Sequence, residues 1–196
     1  MQELAQQLIN GLALGAIYAL IALGYTMVYG IIQLINFAHG DVYMIGAYVG
    51  YFCMSVLHLG FFESLVLAML VCTVLGVLIE RIAYKPLRNS TRIAVLITAI
   101  GVSLLLEYGM MFFVGTDVRS YPALPDYLTA SFDVGGVVIT MQSLLIVGIS
   151  VLLMIALQFI VNRTRMGKAM RAVSMDADAA RLMGINVANT ISFTFA

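Results

Sequence analysis

Gln33, Asn36, His39 and Asp41 form a polar island between two apolar runs, since residues 8–35 and 42–62 contain no charged side chain. A histidine titrates near neutral pH and a carboxylate two residues away can tune it, so His39 and Asp41 have the makings of a proton relay. The same four side chains could instead line a path for a polar solute. Either chemistry has a cost in a bilayer, where each group must face protein or water. Gly30 and Gly40 flank the island and let the backbone leave a helix. A broken helix carrying polar groups at membrane depth is a common construction for a permeation site. Asn36, Gly40 and Tyr43 recur at i, i+4 and i+7 and are expected to share one helical face, which adds Tyr43 to the candidates. The plainer alternative is a turn between two spans near the headgroups.

The elements around this island must be membrane helices. The chain has 196 residues, of which 62% are hydrophobic and 10% charged, against about 25% charged in an ordinary soluble domain. Spans are expected at residues 6–30, 42–62, 64–79, 93–116 and 134–162. The fold class expected is therefore all-α, a polytopic transmembrane helical bundle with about five complete spans. The apolar stretch that begins at Ile185 would start a sixth, which suggests the N-terminal part of a longer protein. Gly11 with Gly15, and Gly46 with Gly50, are spaced for close helix packing within the chain. Cys53 and Cys72 both fall in apolar runs and are read as packed small hydrophobes, with no metal-ligand spacing. Glu107 stands alone in its span and is expected to make an interior hydrogen bond.

Charge sets the orientation. Arg81, Lys85, Arg88 and Arg92 share one loop, and Arg163, Arg165, Lys168, Arg171 and Arg181 share another; Arg119 alone lies elsewhere. The positive-inside rule places both dense loops in the cytoplasm. Residues 117–133 then lie outside, with a small hairpin expected around residues 131–139, and the N-terminus lies outside too. No basic, aromatic-interleaved surface suggests nucleic acid.

The second inner loop carries a distinct signal. Asp176 is placed to cap a helix and Asp178 to sit at its positive end. Gly184 can end it in a left-handed conformation. The expected product is a helix of about two turns with Ala179 and Ala180 on it, suited either to docking in another protein's groove or to resting on headgroups.

Asp178-Ala179-Ala180-x-x-x-Gly184 resembles the Glu-Ala-Ala-x-x-x-Gly loop of ABC-transporter permeases, with Asp in place of Glu, which keeps the charge on a shorter arm. Gly167-Lys168-Ala169-Met170-Arg171-Ala172 and Gly184-Ile185 narrow the likeness to permeases of branched-chain amino-acid importers, the Liv type with the H-subunit pattern. Asn10-Gly11, Gly15, Tyr18-Ala19-Leu20, Ala22-Leu23-Gly24-Tyr25, Val28-Tyr29-Gly30 and Ile35-Asn36-Phe37-Ala38-His39-Gly40 follow that pattern closely. The resemblance covers essentially the whole chain. It implies a single permease domain over residues 1–196 in a bacterial inner membrane, with a cytoplasmic coupling-helix loop at 163–185 and a periplasmic loop at 117–133. It also implies a second permease subunit, two cytoplasmic ATPase subunits and a periplasmic substrate-binding protein. Arg171, Asp176, Asp178, Ala179, Ala180 and Gly184 would form the ATPase coupling site. Gln33, Asn36, His39, Asp41 and Tyr43 would form the substrate pathway. No phosphate-binding loop is present, so ATP would be used by the partners, with no cofactor and no metal on this chain and no enzymatic activity of its own. The rival reading is a self-contained channel or proton-coupled carrier built on His39 and Asp41. Other amino acids, short amides or urea are the alternative substrates.

Overall fold

The computed structural model describes residues 2–32, 35–88, 90–122, 126–134 and 136–196. Helix α1 (Gln2–Ile32) is followed by α2 (His39–Ser55) and α3 (Phe61–Ile79). A π-helical turn (Glu80–Tyr84) and a 3-10 turn (Lys85–Leu87) extend α3. Next come α4 (Arg92–Val114), α5 (Asp126–Thr129), an antiparallel pair β1 (Ser131–Val134) and β2 (Val137–Thr140), and α6 (Met141–Arg163). The chain closes with α7 (Arg165–Met175), α8 (Ala177–Leu182) and α9 (Val187–Phe195). Among the described residues, four helical segments are long and apolar enough to cross a membrane: Gln2–Ile32, Phe61–Leu87, Ile93–Val114 and Met141–Arg163.

Two expected spans have different bounds. The stretch at 42–62 becomes the 17-residue α2 and a chain reversal before α3. At 1.5 Å per residue α2 reaches about 26 Å, short of a full hydrocarbon core of about 30 Å. Gly60 and Glu63 explain why α3 restarts where it does, because the Glu63 carboxylate accepts from the Gly60 N–H at 3.2 Å. The stretch at 134–162 begins as strand, and its helix starts only at Met141. Thr140 sets that start by accepting from the Ser143 N–H at 3.2 Å.

The structure divides into two compact units, Met1–Thr26 with Ala123–Lys168, and Met27–Pro122 with Ala169–Ala196. In the first, the expected hairpin pairs Ser131 with Thr140 and Phe132 with Ile139. The Gln6 amide donates to Val138 O at 2.9 Å and accepts from Val138 N at 2.8 Å, so it satisfies the free edge of β2. Between α6 and α7 the chain turns so tightly that a Cβ on Gly167 would lie 2.1 Å from Val161 O. Among the described residues nothing lies within 4 Å of a Cβ at Gly11 or Gly15, so the close packing expected of them is not seen. The reason is geometric, since small residues permit an approach but do not compel one.

In the second unit Gly46 does serve close packing, because its Cβ would fall 2.7 Å from Cys72 Sγ on α3. Two apolar clusters form the interior. Ala38, Ile79, Tyr84, Val95 and Ala99 make one, and Val173, Ala180, Val187 and Ile191 the other. The outward surfaces of the long helices stay apolar; Phe112 and Phe113 are 83% and 84% exposed. Such a surface is compatible with lipid and costly in water. Glu107 lies on an exposed face of α4 rather than in the expected interior hydrogen bond. A carboxyl group on an outward face is reached most cheaply by water or by a partner, not by the apolar cluster behind α4.

Candidate functional site

All described candidate residues lie in the second unit, and they separate into two places. The first is the break before α2; Gln33 lies outside the described residues. Asn36 precedes the helix, so it cannot share a helical face with Gly40 and Tyr43 as the spacing predicts. The break itself explains this, because the backbone turns at residues 35–38 with the His39 N–H donating to Asn36 O at 3.3 Å. Asn36 is 6% exposed, and its Oδ1 accepts from the Tyr84 hydroxyl at 3.1 Å. Tyr43, by contrast, is 54% exposed. Asp41 sits in the first turn of α2, where the helix dipole favours a carboxylate. It accepts a hydrogen bond from the Ser103 hydroxyl on α4. His39, the first residue of α2, is half-buried.

Beside α2 the described residues line two of the structure's cavities. One, of about 350 Å³, is lined by Tyr48, Tyr51, Asp117, Arg119 and Tyr121 among others. Arg119 stacks 5.9 Å over the Tyr51 and Phe52 rings, an arrangement attractive to a guanidinium. The Tyr121 hydroxyl donates to Ala47 O at 2.6 Å, and burial, then the neighbouring Tyr43 phenol, pushes the Tyr121 phenol up from its ordinary value. The other cavity, of about 370 Å³, runs between α2 and α3 past Gly46, Gly50, Ala68 and Cys72.

The second place is α8. Its start is set locally, with Asp176 Oδ1 accepting from the N–H groups of Asp178 and Ala179, both at 2.9 Å. Its end is set by Gly184 at φ +83°, and the Ile185 N–H returns to Ala180 O at 3.0 Å. Both features match the sequence expectation. Ala180 turns inward to Val173, Val187 and Ile191, while Ala179, Asp178 and Asp176 face out. Arg171 is exposed on the preceding helix. Asp178 and Arg181 pair at 3.5 Å, but side chains this exposed gain little from it.

Sequence reasoning missed two sets of residues. Met175, Leu182 and Met183 project from α8 and its ends with 90%, 89% and 83% exposure. The signal was legible as apolar side chains inside an otherwise polar loop. The other set is Glu80 with its partners. Glu80 is fully buried, ion-paired with Arg88, and accepts from the Ser192 hydroxyl on α9 at 2.7 Å. No sequence spacing joins positions 112 residues apart.

A family model described as the permease component of the branched-chain amino acid transport system matches residues 7–196. The chain belongs to that permease family. It is 42% identical over 200 residues to the high-affinity branched-chain amino acid transport system permease protein BraD of Pseudomonas aeruginosa. It is 42% identical over 205 residues to the permease protein LivH of Salmonella typhimurium, and 41% identical over 209 residues to LivH of Escherichia coli K12. Each match takes in 97% of this chain and 65% of the relative. The chain thus spans just under two thirds of the length of these curated permeases. No solved structure matches it significantly. The relatives are named as permease proteins of a transport system, and the four apolar helices of this chain fit a multi-pass membrane protein.

Proposed function

We propose that this chain is the membrane-spanning permease subunit of an ATP-driven importer of branched-chain amino acids in a bacterial inner membrane. The observation that carries the reading is α8, rigidly capped at both ends and presenting Met175, Ala179, Leu182 and Met183 outward. Apolar knobs of this size on a basic loop call for a protein groove, which a cytoplasmic ATPase subunit would supply. Two ATPase subunits, a second permease and a periplasmic binding protein complete the assembly, and ATP is consumed by the partners. The charge distribution supports an N-terminus outside, α8 inside and residues 117–133 in the periplasm.

Transport proceeds by alternating access. ATPase closure moves α8, and the polar break from Asn36 to Asp41, with Gln33, His39 and Tyr43 beside it, opens and closes the path. The ATPase must hold α8 differently in the two states, because equal binding to both would shift nothing. A span count of five plus the start of a sixth at α9 fits this topology, with α2 as a short inner helix. The names of the relatives favour leucine, isoleucine and valine; other amino acids, short amides and urea are the competitors.

The test is uptake by proteoliposomes holding the intact permease pair with its ATPases and binding protein. ATP-dependent leucine uptake that an Ala179→Glu change abolishes, together with ATPase co-purification, is the expected result. Uptake by the permease alone, driven by a proton gradient and lost in His39→Ala, would replace this reading with the carrier.

A further inference from the structure

The π-helical turn Glu80–Tyr84 touches the break before α2 directly and touches α9, the helix that follows α8. An ordinary α-helix would place the Lys85 N–H on Arg81 O, but here it donates to Glu80 O, five residues back. Pro86 follows at once; it has no N–H and cannot continue the α ladder. π turns are rare and tend to occur at functional positions. On one side of this turn, Glu80 accepts from Ser192 at 2.7 Å, and the Tyr84 ring packs 5.3 Å from the Phe195 ring. Ser192 and Phe195 both lie on α9, the next helix after α8, separated from it only by the turn at Gly184. On the other side, Tyr84 donates to Asn36 at 3.1 Å. The approach of α9 to α3 is close, since a Cβ on Gly76 would lie 2.4 Å from Phe195 O.

We propose that the wide turn Glu80–Tyr84 is the transmission element of this permease: Ser192 pulls on it from the α8–α9 arm, and Tyr84 delivers the change to Asn36 at the polar break. This rests on the reading of α8 as the ATPase contact. The physical basis is that a wide turn has a second arrangement available. Relaxing it to α rotates its end, where Tyr84 sits, against α3 by up to one position, roughly 100° around the axis, which takes the Tyr84 hydroxyl off Asn36. The buried Glu80 carboxylate makes the wide form worth keeping only while Arg88 and Ser192 both hold it, because an unpaired buried charge is costly. Coupling of this kind needs an element with two discrete states that both ends bias, and that is the role assigned here to the turn. Ser192, Glu80 and Tyr84 are thus positioning residues.

The test uses Ser192→Ala, Tyr84→Phe and the double variant in the complete reconstituted importer, with substrate uptake and ATP hydrolysis measured on the same preparation. Each single change should leave hydrolysis within about twofold and lower uptake per ATP about fivefold, the worth of one hydrogen bond of about 1 kcal/mol. The double variant should be no worse than either single one, because both cut the same connection. Ser192→Thr, which keeps the hydroxyl, should restore wild-type uptake per ATP. Unchanged uptake per ATP in both single variants overturns the proposal, as do losses that multiply in the double variant. Equal loss of uptake and hydrolysis that Ser192→Thr does not rescue also overturns it, because that pattern marks a structural role. If a variant fails to assemble, Gly76→Ala replaces it: wedging α9 away from α3 should uncouple uptake from hydrolysis, and intact coupling counts against the proposal. Wild-type protein without ATP-dependent uptake would instead remove the importer reading itself.

Discussion

The α8 segment and the break before α2 are both short segments between longer helices, yet they are held in opposite ways. Asp176 caps α8 from two and three residues away, and Gly184 ends it with a local return bond. At the break, Asn36 is held by Tyr84, 48 residues on, and Asp41 by Ser103, 62 residues on. A segment stabilised by its own neighbours keeps its shape when pushed, as the lever role proposed for α8 requires. A segment stabilised by distant helices takes up whatever arrangement those helices have, as the gate role proposed for the break requires. The difference teaches that the stiff part and the responsive part of one unit can be told apart by the sequence separation of their hydrogen bonds.

Three measurements would break or sharpen that contrast. The largest effect is expected from Ser103→Ala, which strips a partner from the Asp41 carboxylate in an apolar setting. A loss of about 1.5–3 kcal/mol is expected, read as a lowered melting temperature in detergent, together with reduced uptake. No change in either would mean that the break does not depend on α4. A smaller loss, about 1 kcal/mol, is expected from Asp176→Ala, since it removes one helix cap. Proteolysis at α8 should become faster while the melting of the apolar clusters stays put; a global loss of stability would show that α8 is not locally held. The smallest effect belongs to Asp178→Glu, which restores the residue of the general ABC-permease loop. Its side chain is 91% exposed, so stability should not move, and uptake should stay within about twofold. A strong gain in ATPase affinity would show that the shorter arm limits that contact.

The same separation explains what could be read in advance. The apolar runs, the dense cationic loops, the hairpin near residues 131–139 and the cap and stop of α8 all follow from neighbours along the chain. The bounds of α2 were harder, because residues 42–62 are uncharged throughout and the cap that restarts α3 joins Gly60 to Glu63, just beyond that run. The face expected to unite Asn36, Gly40 and Tyr43 failed for a related reason: periodicity holds only inside a helix, and the break falls after Asn36. Nothing local announced the Glu80, Arg88 and Ser192 cluster, although Pro86 hinted at a disturbed ladder.

By itself, the order of residues determined that this chain makes membrane helices, which loops carry its positive charge and where α8 begins and ends. These are consequences of transfer energies and of bonds reaching three or four residues. Only the tertiary structure decided that Asn36 turns to Tyr84, that Asp41 turns to Ser103 and that Glu80 is buried between Arg88 and Ser192. A polar group in an apolar surround must find a partner, and which partner it finds depends on helices that meet in space, not in sequence.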